Sequence, residues 1–347
     1  MFNKFLGKFS KDLGIDLGTK NTLVYSTDRG IVINEPSVVA VNIRTDEVLA
    51  VGDEASRMVG KTPSHIKVIK PLVDGVISDF EVTEKMLKYF IEKAHGETFV
   101  LTPRPRVIIG IPVDITEVER KAVEDAAKSA GARQVFLVEE SMAAAVGARL
   151  PVADPTATMI VDIGGGTTEI AVISLGGVVS AKSLRLAGNE LDSNIIQYIR
   201  EEFNMLIGEQ VAESIKVKIG SATNLKEPME MQICGRDLIN GLPKAIVIND
   251  KQVREAISRT IRIIIDNIKL TIETTPPELV ADIYEHGINL AGGGALLRGL
   301  DKEIAQATKI PVRLAEDPLT CVVRGTGILL DDQELLDKIV LPSPSEL

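Results

Sequence analysis

Residues 161–170 read VDIGGGTTEI, an apolar strand that runs into an aspartate, three glycines and two threonines. Residues 14–24, GIDLGTKNTLV, repeat that cadence of strand, Asp, glycine-rich turn, hydroxyl and strand. A glycine-rich turn between strands lets backbone N–H groups converge on an anion without interference from Cβ atoms. Threonine hydroxyls add donors at the same place. Asp16 and Asp162, at the two strand ends, would repel a phosphate directly. They make sense if Mg²⁺ or its water shell lies between. Two such hairpins, one in each half of the chain, predict a grip on one polyphosphate from both sides. Taken singly, each also fits a tight hairpin with no ligand; the pairing is the stronger signal.

A third glycine cluster, AGGGA at 291–295, follows a strand and opens an apolar, helix-like segment. Backbone there can approach a flat base or a phosphate, or simply pack a helix against a strand. The chain has no GxxxxGK[ST] loop and no GxGxxG after its first strand, so neither of those phosphate-binding designs applies.

The composition sets the frame. With 347 residues the chain is too long for one ordinary core and suggests about two domains. Hydrophobic residues make up 45% and charged residues 25%, which is globular rather than disordered. No uncharged apolar run approaches the roughly 18 residues of a membrane span, and the N-terminus lacks the pattern of a signal peptide. Cys234 and Cys321 share no metal-ligand spacing and read as two buried free thiols in a reducing cytosol. The three histidines form no cluster, and a net charge of −10 without a basic run disfavours nucleic acid as the main ligand.

Along the chain, residues 12–51 read as strands and turns, followed by a helix at 81–95 with an apolar stripe that includes Met86, Phe90 and Ile91. RVIIGIP is continuously apolar, as strands buried on both faces are. Thr116 and Glu119 then form a capping box, with Gly131 at the helix stop. A strand at 135–138 and a small-residue helix, EESMAAAVGA, complete an α/β run with parallel pairing. Residues 151–157 (PVADPTA) suit a linker, after which the pattern restarts, with a helix at 191–206. Residues 220–250 are polar and broken. The long helix at 251–274 carries apolar residues on several sides and reads as buried between layers. A helix at 319–330 closes the fold.

At this point the resemblance is plain. GIDLGTKNTLVY and VDIGGGTTEIAVIS resemble the two phosphate loops of the actin/Hsp70/sugar-kinase superfamily, and GINLAGGGALLRGL its adenosine motif. Residues 105–148 and 316–330 resemble its two interdomain connectors. NEPSVVA, DGVISDFEVTEKML, PPELVADI and EDPLTC bring the likeness closer, to the MreB family of bacterial actins that maintain rod shape. The resemblance covers residues 10–330. It implies an α/β, actin-like fold: two related α/β domains with ribonuclease-H-like cores around a nucleotide cleft, each with a smaller subdomain. The first domain would span 1–150, with a peripheral subdomain near 35–74 and a C-terminal helix near 323–347 returning to it. The second would span 151–322, with a peripheral subdomain near 190–250.

Residue by residue, the resemblance implies ATP and Mg²⁺ as cofactors. Thr19, Lys20 and Asn21 would line the first phosphate loop, and Gly164, Gly165 and Gly166 the second. Asp16 and Asp162 would face hydrated Mg²⁺. Glu140 and Thr167 would position or activate the attacking water, in chemistry that is mostly positioning and charge stabilisation. Glu139 and Glu140 are helix neighbours pointing about 100° apart, so only one can face a cleft; the family pattern picks Glu140. Glu213 and Lys216, side by side at i, i+3, would contact adenosine together with Gly292, Gly293, Gly294 and Ala295; alone they read as a surface salt bridge. Three positions depart from the family pattern: Lys20 where Ala is usual, Ser141 where Pro is usual and Ser214 where Arg is usual.

MFNKFLGKF places Phe2, Phe5, Leu6 and Phe9 at helical spacing, with Lys4 and Lys8 mostly off that stripe. That is the signature of an interfacial amphipathic helix, or of a terminus docked on its own domain. Phe99, Val100 and Leu101 resemble the family's membrane-facing loop. The resemblance implies a slow ATPase coupled to assembly: a homopolymer, with paired protofilaments, on the inner face of the cell membrane. Lipid and membrane proteins of the cell-wall elongation machinery would be its partners, with no nucleic acid. Alternatives on the same fold are a plasmid-segregation actin, which would not need the amphipathic N-terminus, and a small-molecule kinase, which would need a substrate-binding insertion the chain lacks. An Hsp70-like chaperone would need a β-rich substrate domain.

Overall fold

The computed structural model describes residues 12–95 and 104–342. The chain builds the same mixed sheet twice. Strands Leu13–Leu17, Asn21–Ser26 and Gly30–Pro36 form an antiparallel meander. The first of them pairs in parallel, on its other edge, with Arg106–Ile111, which pairs in parallel with Gln134–Glu139. In the second sheet Thr158–Ile163, Thr168–Ser174 and Gly177–Leu184 form the meander. Ile288–Ala291 and Val312–Leu314 continue it in parallel. The likeness extends to register: Asp16 stands opposite Leu23 and beside Gly110, and Asp162 opposite Glu169 and beside Ala291. Each meander carries one register shift between its second and third strands, at Val24/Tyr25 and at Val172/Ile173. Such a shift adds local twist and fixes register. This is an α/β fold of two sheet-centred halves.

Among the described residues three large apolar cores follow from this, with a small fourth cluster at Val38, Ala40 and Ala55. Helices Phe80–His95 and Glu117–Ser129 cover one face of the first sheet, burying Met86, Phe90 and Ile91. Thr116 caps the second of these helices with the reciprocal bonds of a capping box, its hydroxyl accepting from Glu119 N while Glu119 Oε2 accepts from Thr116 N. The second half has its own core under helices Gly188–Phe203 and Asp250–Glu273. Between the sheets lies a third core, built around helices Glu140–Gly147 and Cys321–Asp331. These two helices touch through their backbones. A Cβ on Gly147 would stand 1.8 Å from the Cys321 carbonyl oxygen, and one on Gly325 1.8 Å from that of Ala143.

Several expectations are corrected. The helix expected at 191–206 runs Gly188–Phe203, because Asn204 takes the left-handed conformation (φ 48°) that ends a helix. The long helix is not buried between layers: its isoleucines lie along one stripe, while Arg259 and Arg262 on the other side are exposed. Residues 151–157 are docked, not free. Val152 is buried, and Leu175 and Gly176 donate amides to the carbonyls of Asp154 and Val152, both at 2.8 Å. Part of the polar segment near 220–250 forms a three-stranded antiparallel sheet with Met205–Leu206. Cys234 points outward from that sheet and is exposed, so only Cys321 is buried.

Candidate nucleotide cleft

The two repeated hairpin turns face each other across one cavity of about 590 Å³. Each turn is placed by its strand pair: Asp16 and Asp162 are the penultimate or near-final residues of central strands, so both carboxylates emerge where the sheet ends. The glycines bring the turns together. A Cβ on Gly165 would stand 2.5 Å from Lys20 Cβ, and one on Gly166 2.6 Å from Thr19 Oγ1. Only backbone without side chains fits there. The Thr19 hydroxyl also accepts a hydrogen bond from Gly75 N at 2.9 Å, tying the first turn to the hairpin of Leu72–Val73 and Val76–Ile77.

Of the expected site residues, Asp16, Thr19, Lys20, Asn21, Glu140, Asp162, Gly164, Gly165, Gly166, Thr167, Glu213, Lys216, Gly292, Gly293 and Gly294 all line this cavity. Ala295 does not; it is buried in the core of the second half. Glu140 lines the wall and Glu139, the N-cap residue before it, does not. The third glycine cluster lines the cavity and packs against the strand that carries Asp162. Gly294 packs on Ile163, where a Cβ would meet the side chain at 2.3 Å, and a Cβ on Gly292 would stand 2.3 Å from Asp162 Oδ1. The segment that follows is a 3₁₀ turn, Gly293–Leu296, and not an α-helix. Phe2, Phe5, Leu6, Phe9, Phe99, Val100 and Leu101 lie outside the described residues.

Four carboxyl groups crowd one end of the cavity. Burial pushes Asp16 up to about 7. Asp162 is pushed up to about 7 by burial and then by Asp16. Glu140 is raised well above the usual carboxylate range, by burial first and then by Glu169, Asp16 and Asp162. Glu169, which sequence reasoning missed, is pushed up to about 7 by burial, partly offset by hydrogen bonds from the Ser183 hydroxyl and Val113 N. Among the described residues, neither Asp16 nor Asp162 has a cation or a hydrogen-bond donor that offsets its burial. A site that gathers acids and gives them no partner is suited to a cation. Among the described residues no group of three or more His, Cys, Asp or Glu could enclose a metal. Two carboxylates, with waters and phosphate oxygens for the rest, match the way Mg²⁺ is usually held.

The opposite end is ionic and better satisfied. Lys216 Nζ lies 2.8 Å from Asp192 Oδ1 and donates to Gly188 O at 2.8 Å. Lys20 Nζ, from the other half, lies 2.9 Å from Glu213 Oε1 and 3.5 Å from Asp192 Oδ2. Asp192 and Glu169 carry no motif of their own. Their signal in sequence is only position: the second turn of a helix, and the strand residue opposite Asp162. Apolar walls come from Leu296, Leu297 and Leu319 beside the glycine cluster. The cavity therefore offers a cation-seeking, glycine-lined end and an ionic end with an apolar flank.

Comparison with known proteins agrees with this geometry. A model of the MreB/Mbl protein family matches residues 10–338. The cell shape-determining protein MreB of Escherichia coli (strain K12) is 51% identical over 337 residues, covering 95% of this chain and 96% of that one. The cell shape-determining protein Mbl of Bacillus subtilis (strain 168) is 48% identical over 330 residues, covering 95% and 98%. Among solved structures, MreB5 of Spiroplasma citri bound to ADP superposes with a TM-score of 0.89 at 39% identity, covering 94% and 97% of the two chains. The MamK double helical filament gives 0.78 at 26% identity, covering 92% and 98%. Matched over nearly its whole length by the family model and by relatives at about half identity, the chain has an actin-like fold and belongs to the MreB/Mbl family.

Proposed function

We propose that the protein binds and hydrolyses ATP with Mg²⁺, polymerises, and as membrane-associated filaments on the inner face of the cell membrane maintains rod shape by organising cell-wall synthesis. The observation that carries the reading is the paired turns: two copies of one glycine-rich hairpin line a single cavity, with Glu140 on its wall. The relatives add support: their names concern cell shape, and the solved neighbours carry ADP or AMPPNP or form a filament.

In this reading the backbone N–H groups of both turns cradle the phosphates, helped by Thr19, Asn21 and Thr167. Glu213 and Lys216 hold the nucleoside, and Gly292, Gly293 and Gly294 approach its base. Magnesium, when bound, supplies charge neutralisation at the phosphate oxygens. Thr167 positions the attacking water and Glu140 takes its proton. A carboxylate whose proton affinity is raised by burial is a better base at neutral pH than an exposed one.

Membrane association, in this reading, rests on the N-terminal stripe of Phe2, Phe5, Leu6 and Phe9. Burying Phe2, Phe5, Leu6 and Phe9 contributes about 1.5–3 kcal/mol per side chain before ordering costs, and each nearby lysine adds roughly 1 kcal/mol on anionic lipid. Ordering a short helix consumes much of that. A single copy therefore binds marginally and a polymer well. Deleting residues 2–9 should abolish co-sedimentation with anionic liposomes while ATP-dependent filaments still form in solution, seen by electron microscopy. Truncated filaments that pellet with lipid as well as full-length ones would place the membrane contact elsewhere, with Phe99 and Val100 next. Sugar-dependent ATP turnover without any polymer would favour the kinase alternative.

A further inference from the structure

Lys20 belongs to the first glycine turn, yet its ammonium reaches the second half of the chain. Its stem lies against Gly165 of the opposite turn, where a Cβ would stand 2.5 Å from Lys20 Cβ. From there its ammonium reaches past the phosphate end to the ionic wall of the second half, 2.9 Å from Glu213 Oε1 and 3.5 Å from Asp192 Oδ2. Asp192 is buried and held from behind by Lys216 at 2.8 Å. Lys20 is the partner that the structure gives Glu213, which the preceding reading places on the nucleoside. Two other contacts cross the same mouth: Lys70 pairs with Glu209, and Gln210 Nε2 donates to Ser56 O at 3.2 Å. Both lie on the exposed rim, where pairs contribute little and salt screens them. Lys20 differs in being inside the cavity and anchored on a buried carboxylate.

We propose that Lys20 is a positioning residue that latches the two halves across the cleft, holding Glu213 in place and slowing nucleotide exchange. A short residue here could not span the gap. The latch's consequence for exchange rests on the ATP reading above. Cleft opening must separate Lys20 from Glu213 and Asp192, so the rate of opening carries the strength of that network and its salt dependence.

Two readouts on the full chain, below the concentration at which polymer scatters light, test this. Lys20→Met keeps the stem and removes the charge; Lys20→Arg keeps the charge. Radiolabelled AMPPNP, bound with Mg²⁺ and chased with unlabelled nucleotide, should leave Lys20→Met about fivefold faster than the parent at low salt, the upper end for one ion pair of half-exposed side chains. Salt should bring the parent toward the variant and leave the variant unmoved, while Lys20→Arg stays near the parent. The second readout needs no nucleotide: amide hydrogen exchange over residues 70–76 and 208–217, on the facing rims, should rise by about the same factor in Lys20→Met. If the parent binds no AMPPNP but rim exchange rises, the ATP reading fails and the latch stands. Rim exchange equal to the parent's in Lys20→Met overturns the latch, whatever the release rate does.

Discussion

Replacing Glu140 by glutamine should lower phosphate release by about 10²-fold or more while nucleotide affinity stays within about threefold, since a general base contributes on that scale. The substitution is chosen for its geometry. Glu140 is 9% exposed, and its proton affinity is raised by burial and by Glu169, Asp16 and Asp162. Glutamine has nearly the shape of the protonated acid, so it disturbs neither the wall nor the helix start and removes only the ability to take a proton. The residue lies on the helix that fills the space between the sheets, not on either glycine turn, so the phosphate cradle survives its loss. Release assays on the purified variant, paired with equilibrium binding of AMPPNP, separate the two effects. Undiminished release would remove Glu140 from the water; lost binding would place it on the phosphates.

Gly325→Ala should cost about 3 kcal/mol or more, the upper range for overpacking against backbone. In an exposed helix the same change would stabilise by about 1 kcal/mol through helix propensity, so sign alone decides between the two environments. Here the new Cβ would lie 1.8 Å from the Ala143 carbonyl oxygen, and no rotamer can relieve a backbone clash. Gly147→Ala meets the Cys321 carbonyl oxygen at the same 1.8 Å. Both act on one helix–helix contact, so the double variant should lose less than the two single losses added together. Chemical denaturation midpoints of the three variants test this. An unchanged midpoint for Gly325→Ala would mean that the helices stand further apart than described. The pair sits between the sheets, so forcing it open also splays the walls of the cleft.

What the sequence made legible was what it encodes locally and repeats. The device around Asp16 and Asp162 announced two related halves, and the strand order, the register and even the register shifts repeat as that motif does. Thr116 and Glu119 made a capping box visible because its partners are three residues apart. The similar box of Asn249 and Gln252 is masked in sequence by the polar, Gly- and Pro-broken stretch before it, which reads as irregular chain. That stretch hides a hairpin whose strands are half-exposed, so their alternation is weak, and whose Asn-Gly turn at 240–241 was the available sign. The long-range partners of the site were illegible for a different reason. Lys20 meets Asp192 and Glu213 only because two halves close on each other, and nothing within either segment records the distance. Glu169 becomes a site residue through the strand pairing that sets it opposite Asp162. Cys234 shows the limit of composition: a thiol expected inside stands on the outer side of an edge sheet.

The central claim is that one cleft, built from two copies of one hairpin, holds one nucleotide through Mg²⁺ facing Asp16 and Asp162. Calorimetric titration of AMPPNP into the full-length protein, with Mg²⁺ and with a chelator, tests it most directly, run in parallel on Asp16→Ala. The account predicts one nucleotide per chain, binding that weakens sharply when Mg²⁺ is chelated, and an Asp16→Ala variant that binds weakly with Mg²⁺ and gains little from it. Two nucleotides per chain, or Mg²⁺-independent binding unchanged by the loss of Asp16, would contradict it.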